Sequence, residues 1–213
     1  MLLDRKRVKY WQRWVFGAMA VLMVLWLVSI PVGRWIGCDG EEEAASTLDD
    51  RIAALERQVS ASPATVEARL ELAEAYRRRA NQQVEGSDGR IADLEASAAA
   101  YEAYVKRVAR AQGTKAERRE AERLQVAALL DLARVYLSLG DYAQVTNVYG
   151  RLTDLRPNNA EYFYDMGRVA ISAGDTDTAL LAFGRYLELK PDAPEAEQVQ
   201  RWIDENAPEG TGQ

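Results

Sequence analysis

Apolar residues recur along the second half of the chain with the spacing of one helical face, and the pattern is written twice. Leu129, Leu132, Ala133 and Tyr136 fall at i, i+3, i+4 and i+7, which predicts an amphipathic helix. Phe163, Met166, Gly167 and Ala170 repeat that stripe further on. A second helix is predicted after each, its inner face formed by Val145, Tyr149 and Leu152 in one case and by Ala179, Phe183 and Tyr186 in the other. Between the members of each pair stand "LGD" and "AGD", whose Gly140 and Gly174 are able to take the positive φ that stops a helix. Pro157 and Pro191 close the units, where a missing N–H does no harm.

The two copies are in register at a constant shift. Gly140 and Gly174, Asp141 and Asp175, Tyr149 and Phe183, and Pro157 and Pro191 are each 34 residues apart. A period of that length, with these residue types at these places, resembles the tetratricopeptide repeat. The resemblance is strong over 126–159 and 160–193 and weaker upstream, where Arg69, Leu72, Ala73 and Tyr76 repeat the first-helix spacing and Ser97, Tyr101 and Tyr104 the second. "NQQVEGSDGR" between them reads as a polar, Gly-rich insertion of about a dozen residues, a loop in a solenoid. "LDDRIAALERQVSASP" predicts a short leading helix, and "APEAEQVQRWIDENA" a capping helix with Trp202 inward.

A different pattern occupies the start of the chain. "WVFGAMAVLMVLWLVSIPVG" is a run of 20 residues without a charge, which predicts one transmembrane helix. Tyr10, Trp11, Trp14 and Trp35 sit at its ends, and Arg5, Lys6, Arg7, Lys9 and Arg13 precede it against Arg34 and then Arg51 after it, so the N-terminus is expected in the cytoplasm. The organisation this implies is a basic N-terminus 1–13, a membrane helix 14–36, an acidic linker 37–47, a degenerate repeat with an insertion 48–125, repeats 126–159 and 160–193, a cap 194–207 and a disordered tail 208–213. The expected fold class is all-α: a single transmembrane helix followed by a short tetratricopeptide-like solenoid. "WIGC", ending at Cys38, offers a lipoprotein anchor as another possibility, with an idle interfacial cysteine as the bland one.

Composition narrows the chemistry. The net charge of -6, with a pI near 5.0, argues against nucleic acid, which demands clustered surplus cation. The sequence has no histidine and one cysteine, so the commonest general base and most metal sites are excluded. Paired carboxylates such as Asp175 with Asp177 are better explained as helix starts. No enzyme activity, cofactor, metal or small-molecule substrate is expected.

Stacked helix pairs expose a groove, and the resemblance implies that its wall is built from first-helix residues off the apolar stripe. These are Arg77 and Arg78, then Leu130, Asp131, Arg134 and Ser138, then Tyr164, Asp165, Arg168 and Ser172, with Glu67, Leu70 and Glu71 beside the first pair. The set lacks the lysine and asparagine with which family members grip a C-terminal carboxylate. Arg134 and Arg168, one period apart, fit either ligand binding or a ladder of ion pairs to Asp131 and Asp165. The function expected is a membrane-anchored scaffold or adaptor in the cytoplasmic membrane. It would hold a protein or peptide partner on the extracytoplasmic side, in export, chaperoning or complex assembly. The alternative is a permanent structural subunit of a membrane complex.

Overall fold

The computed structural model describes residues 39–62 and 65–207, with side chains from residue 47 onward. The chain divides into two units, Met1–Ser46 and Thr47–Gln213, and the second carries the architecture. Every regular element among the described residues is a helix: α1 Asp39–Ala61, α2 Val66–Gln82, α3 Asp88–Val108, α4 Lys115–Leu139, α5 Tyr142–Leu155, α6 Ala160–Ala173, α7 Thr176–Leu189 and α8 Ala196–Asn206. From α2 to α8 each helix packs against the next in sequence, the arrangement of a solenoid, in which each pair buries the face its neighbour exposes.

The turn sequences explain where the helices stop. Gly140 and Gly174 adopt φ of 72° and 75°, and the N–H groups of Asp141 and Asp175 reach back to the carbonyls of Tyr136 and Ala170. The following aspartate then caps the next helix: Asp141 accepts from the Gln144 amide at 3.1 Å and Asp175 from that of Thr178 at 3.0 Å. One Gly-Asp pair thus ends one helix and starts another. α4 begins on a reciprocal cap between Thr114 and Glu117.

The stripe residues form the core. Leu129, Leu132, Val145, Val148 and Leu152 are fully buried with Leu94, Tyr101 and Val105 in one cluster spanning α2 to α5. Full burial of a leucine or valine contributes about 1.5–3 kcal/mol. A second cluster joins α6, α7 and α8 through Ala160, Phe183, Tyr186 and Val199, with Trp202 packed against it. A third, of Ile52, Leu55, Ala68, Leu72 and Ala75, fastens α1 to α2. The α1–α2 junction is also polar. Arg79 donates to both carboxylate oxygens of Asp93, at 2.8 and 2.6 Å, and to Asp49 at 2.6 Å. Tyr76 donates to Glu56 beside it.

Two expectations change. The polar stretch 81–90 is not a long loop: α2 continues to Gln82 and α3 begins at Asp88. Relative to the later units, the extra residues lengthen the helices more than the turn, and Ser87 caps α3 by accepting from the Arg90 amide. The second correction concerns the membrane. The span expected at 14–36 lies outside the described residues, as do Cys38 and the segments 1–13 and 208–213. Among the described residues no helix is long and apolar enough to cross a membrane. The two longest, α1 and α4, contain "EEE", "DDR" and "KAERREAER", and charges of that density do not enter hydrocarbon. The single-pass architecture, the membrane as partner, and the placement in a cytoplasmic membrane with extracytoplasmic repeats are therefore not supported. The all-helical solenoid-like packing stands without them.

Candidate functional site

The residues proposed for the groove wall lie on three helices, α2, α4 and α6. Arg77 and Arg78 lie on α2. Arg78 is exposed and pairs with Glu74 at 3.3 Å. Arg77 is half-buried, and its Nε, like the Oη of fully buried Tyr101, lacks a hydrogen-bond partner among the described residues. Burial pushes the Tyr101 phenol up to about 12, against the pull of the Arg77 charge. On α4, Leu130 packs half-buried against the main core. Arg134 donates to Asp131 at 2.8 Å, and the Ser138 hydroxyl donates to the Arg134 carbonyl at 3.0 Å.

On α6 three of the expected residues come together. Asp165, Arg168 and Ser172 line a pocket of about 450 Å³ with Leu137, Tyr142, Tyr149, Val169 and Ile171. The pocket is walled by the end of α4, by α5 and by α6. Tyr149 reaches across from α5, its hydroxyl donating to Asp165 at 3.3 Å. Burial raises the Asp165 carboxyl above its ordinary value, opposed by the Tyr149 hydrogen bond and the Arg168 charge. Burial likewise pushes Tyr149 up to about 12, helped by the Asp165 charge.

Tyr164, expected at the groove, belongs to an aromatic cluster. Its ring lies 5.0 Å from Tyr186 and 6.1 Å from Phe183, and Phe183 meets Trp202 edge-on at 5.2 Å. The Arg168 guanidinium rests over the Tyr164 ring, 5.7 Å from its centroid. Arg168 thus lies beside a ring that packs against α7.

Leu137, Tyr142 and Ile171 are the residues that sequence reasoning missed. Each is a large apolar side chain more than 40% exposed, at 43%, 41% and 42%. They come from three different helices and meet at the same pocket. Scattered surface apolar residues are ordinary, whereas these three converge on one concavity. Leu137 and Ile171 were within reach of the sequence, since they too are 34 residues apart. Tyr142 carried no signal beyond following the Asp141 cap. Two further clefts among the described residues differ in lining: one of about 500 Å³ beside Gly150 and Met166 is lined mainly by small and polar residues, and one of about 540 Å³ between Val66 and Leu124 includes Arg107, Arg110, Glu67, Glu117 and Glu120.

No protein-family model and no curated protein matches the chain. Among solved structures, a crystal structure of MamA aligns with 80% of this chain and 85% of its own at 18% identity, with a TM-score of 0.45. A second MamA crystal structure aligns over 74% and 89% at 18% identity, with a TM-score of 0.30. The helical architecture rests on the packing described above and not on these likenesses.

Proposed function

We propose that the chain is a protein-binding helical scaffold of tetratricopeptide type and that its docking site is the pocket between α4, α5 and α6. In this reading 126–159 and 160–193 are two complete units, 48–125 is an expanded one, and 194–207 is the cap. The observation that carries the reading is the convergence of exposed Leu137, Tyr142 and Ile171 on one pocket beside Asp165 and Arg168. A mainly apolar lining with a few polar groups is the usual composition of a binding pocket. Binding is favoured over catalysis because the sequence contains no histidine, and the pocket carboxylate is already engaged by a tyrosine.

Site-specific crosslinking tests the proposal. A photoreactive residue replaces Ser172, at the pocket, or Leu181, which is 77% exposed on α7. In cells that make the full chain, the pocket probe is expected to capture a protein partner that the α7 probe does not. Identical capture by both probes, or none at Ser172, would remove the pocket as the docking site.

A further inference from the structure

Arg134 and Arg168 stand one repeat apart, yet among the described residues only Arg134 makes a close ion pair with the aspartate three residues before it. Arg134 donates to Asp131, three residues before it, at 2.8 Å. The corresponding aspartate for Arg168 is Asp165, but Asp165 accepts from Tyr149 instead, and Arg168 lies over the Tyr164 ring. A guanidinium has five N–H donors in one plane. None of those of Arg168 is given to a side-chain acceptor among the described residues. Arg168 is exposed beside the Tyr164 ring, and an exposed guanidinium is able to take a carboxylate through two parallel hydrogen bonds.

Resting on the docking pocket proposed above, we infer the chemistry of its occupant. It is an internal segment of a protein partner that offers an Asp or Glu side chain to Arg168 and seats a neighbouring large apolar side chain on Leu137, Tyr142 and Ile171. The carboxylate is a monoanion, which suits a single cation with the Asp165 charge nearby; a phosphate dianion would meet that charge with one guanidinium to offset it. An internal residue fits better than a chain end, because a terminal carboxylate calls for several converging donors and the pocket supplies one guanidinium. A cationic partner is disfavoured, since Asp165 is half-buried and already accepts from Tyr149.

The test uses the full chain and a library of short peptides with blocked ends, displayed on beads. Selected peptides are expected to place Asp or Glu next to a large apolar residue. For a selected peptide, fluorescence anisotropy should read binding about threefold to tenfold weaker to Arg168→Gln, as for a partly exposed charge-assisted pair. Arg134→Gln should bind as the parent does, and raised salt should weaken the parent more than Arg168→Gln. Ile171→Ser should weaken binding whether the peptide carries Glu or Gln. Selected peptides without acidic enrichment, or full affinity in Arg168→Gln, would overturn the inference while leaving the pocket intact. Gain of binding on unblocking the C-terminus of a Gln peptide would overturn the choice of an internal residue. No selection of any peptide, or no effect of Ile171→Ser, would overturn the pocket as well.

Discussion

Gly167 of α6 lies against the ring of Phe183 of α7, so closely that a Cβ on Gly167 would come within 2.5 Å of the ring's Cε1. In the preceding unit the equivalent residues are Ala133 and Tyr149, with Tyr149 only half-buried and turned to Asp165. Phe183 is buried and touches Trp202 of α8. The small residue of the repeat therefore has a specific use here: it seats the ring that joins the last pair to the cap.

Gly167→Ala is expected to destabilise the protein although alanine is the better helix former. The gain from propensity is about 1 kcal/mol, while overpacking a filled core costs about 1–3 kcal/mol. Gly184, also inside a helix, has nothing within 4 Å of an added Cβ. Gly184→Ala should stabilise by about 0.5–1 kcal/mol. Opposite signs of the two shifts in urea midpoint would support this account, and a stabilising Gly167→Ala would sink it.

Gly174→Ala should cost about 1–2 kcal/mol, because φ of 75° is unfavourable for any residue with a Cβ even where space is open. Thermal melting would reveal the loss. Asn at the same position should recover part of it, since its side chain tolerates this backbone region better.

Asp93→Ala should loosen the junction of α1, α2 and α3. Asp93 is 5% exposed and receives two hydrogen bonds from Arg79 and one from Gln83 at 2.7 Å. Removing it leaves Arg79 with Asp49 alone, at a cost of up to about 3 kcal/mol given that Arg79 is partly exposed. Hydrogen exchange should show the change first in α1 and α2. Faster exchange confined to α7 and α8 would contradict this assignment.

Asp165 makes the pocket sensitive to acid in an unusual direction. Its folded pKa is raised by burial, so the folded protein holds this proton more tightly than the unfolded chain does. Its contribution to stability therefore falls as pH rises from the ordinary carboxylate value through the raised one, and it is an unfavourable constant above that. Asp165→Asn keeps an acceptor for Tyr149 and removes the charge. Its melting temperature relative to the parent should be higher at neutral pH, and the difference should shrink below the ordinary carboxylate range. A difference that grows on acidification would disprove the sign.

Much of the fold is legible along the chain because its interactions are local. The stripes of Leu129 to Tyr136 and Phe163 to Ala170 and the Gly-Asp turns act within a helical turn or between adjacent helices, and burial, caps and positive φ follow from them. The expanded first unit was less legible. Beside "NQQVEGSDGR", Gln83 and Arg79 both reach Asp93, a contact that no periodicity encodes.

The sequence by itself determined the all-helical class, the repeat period and the places where helices end, since each is a matter of spacing and backbone preference. Only the tertiary structure decided which residues share the pocket. It brings Asp165, Arg168 and Ser172 to Leu137, Tyr142 and Ile171, and it sends Tyr164 to the aromatic cluster. Two arginines at the same repeat position are equal in sequence and unequal in the fold, because Tyr149 claims the carboxylate of one and leaves Asp131 to the other. Which acceptor takes which donor is settled by packing between helices, and that information does not lie in either repeat alone.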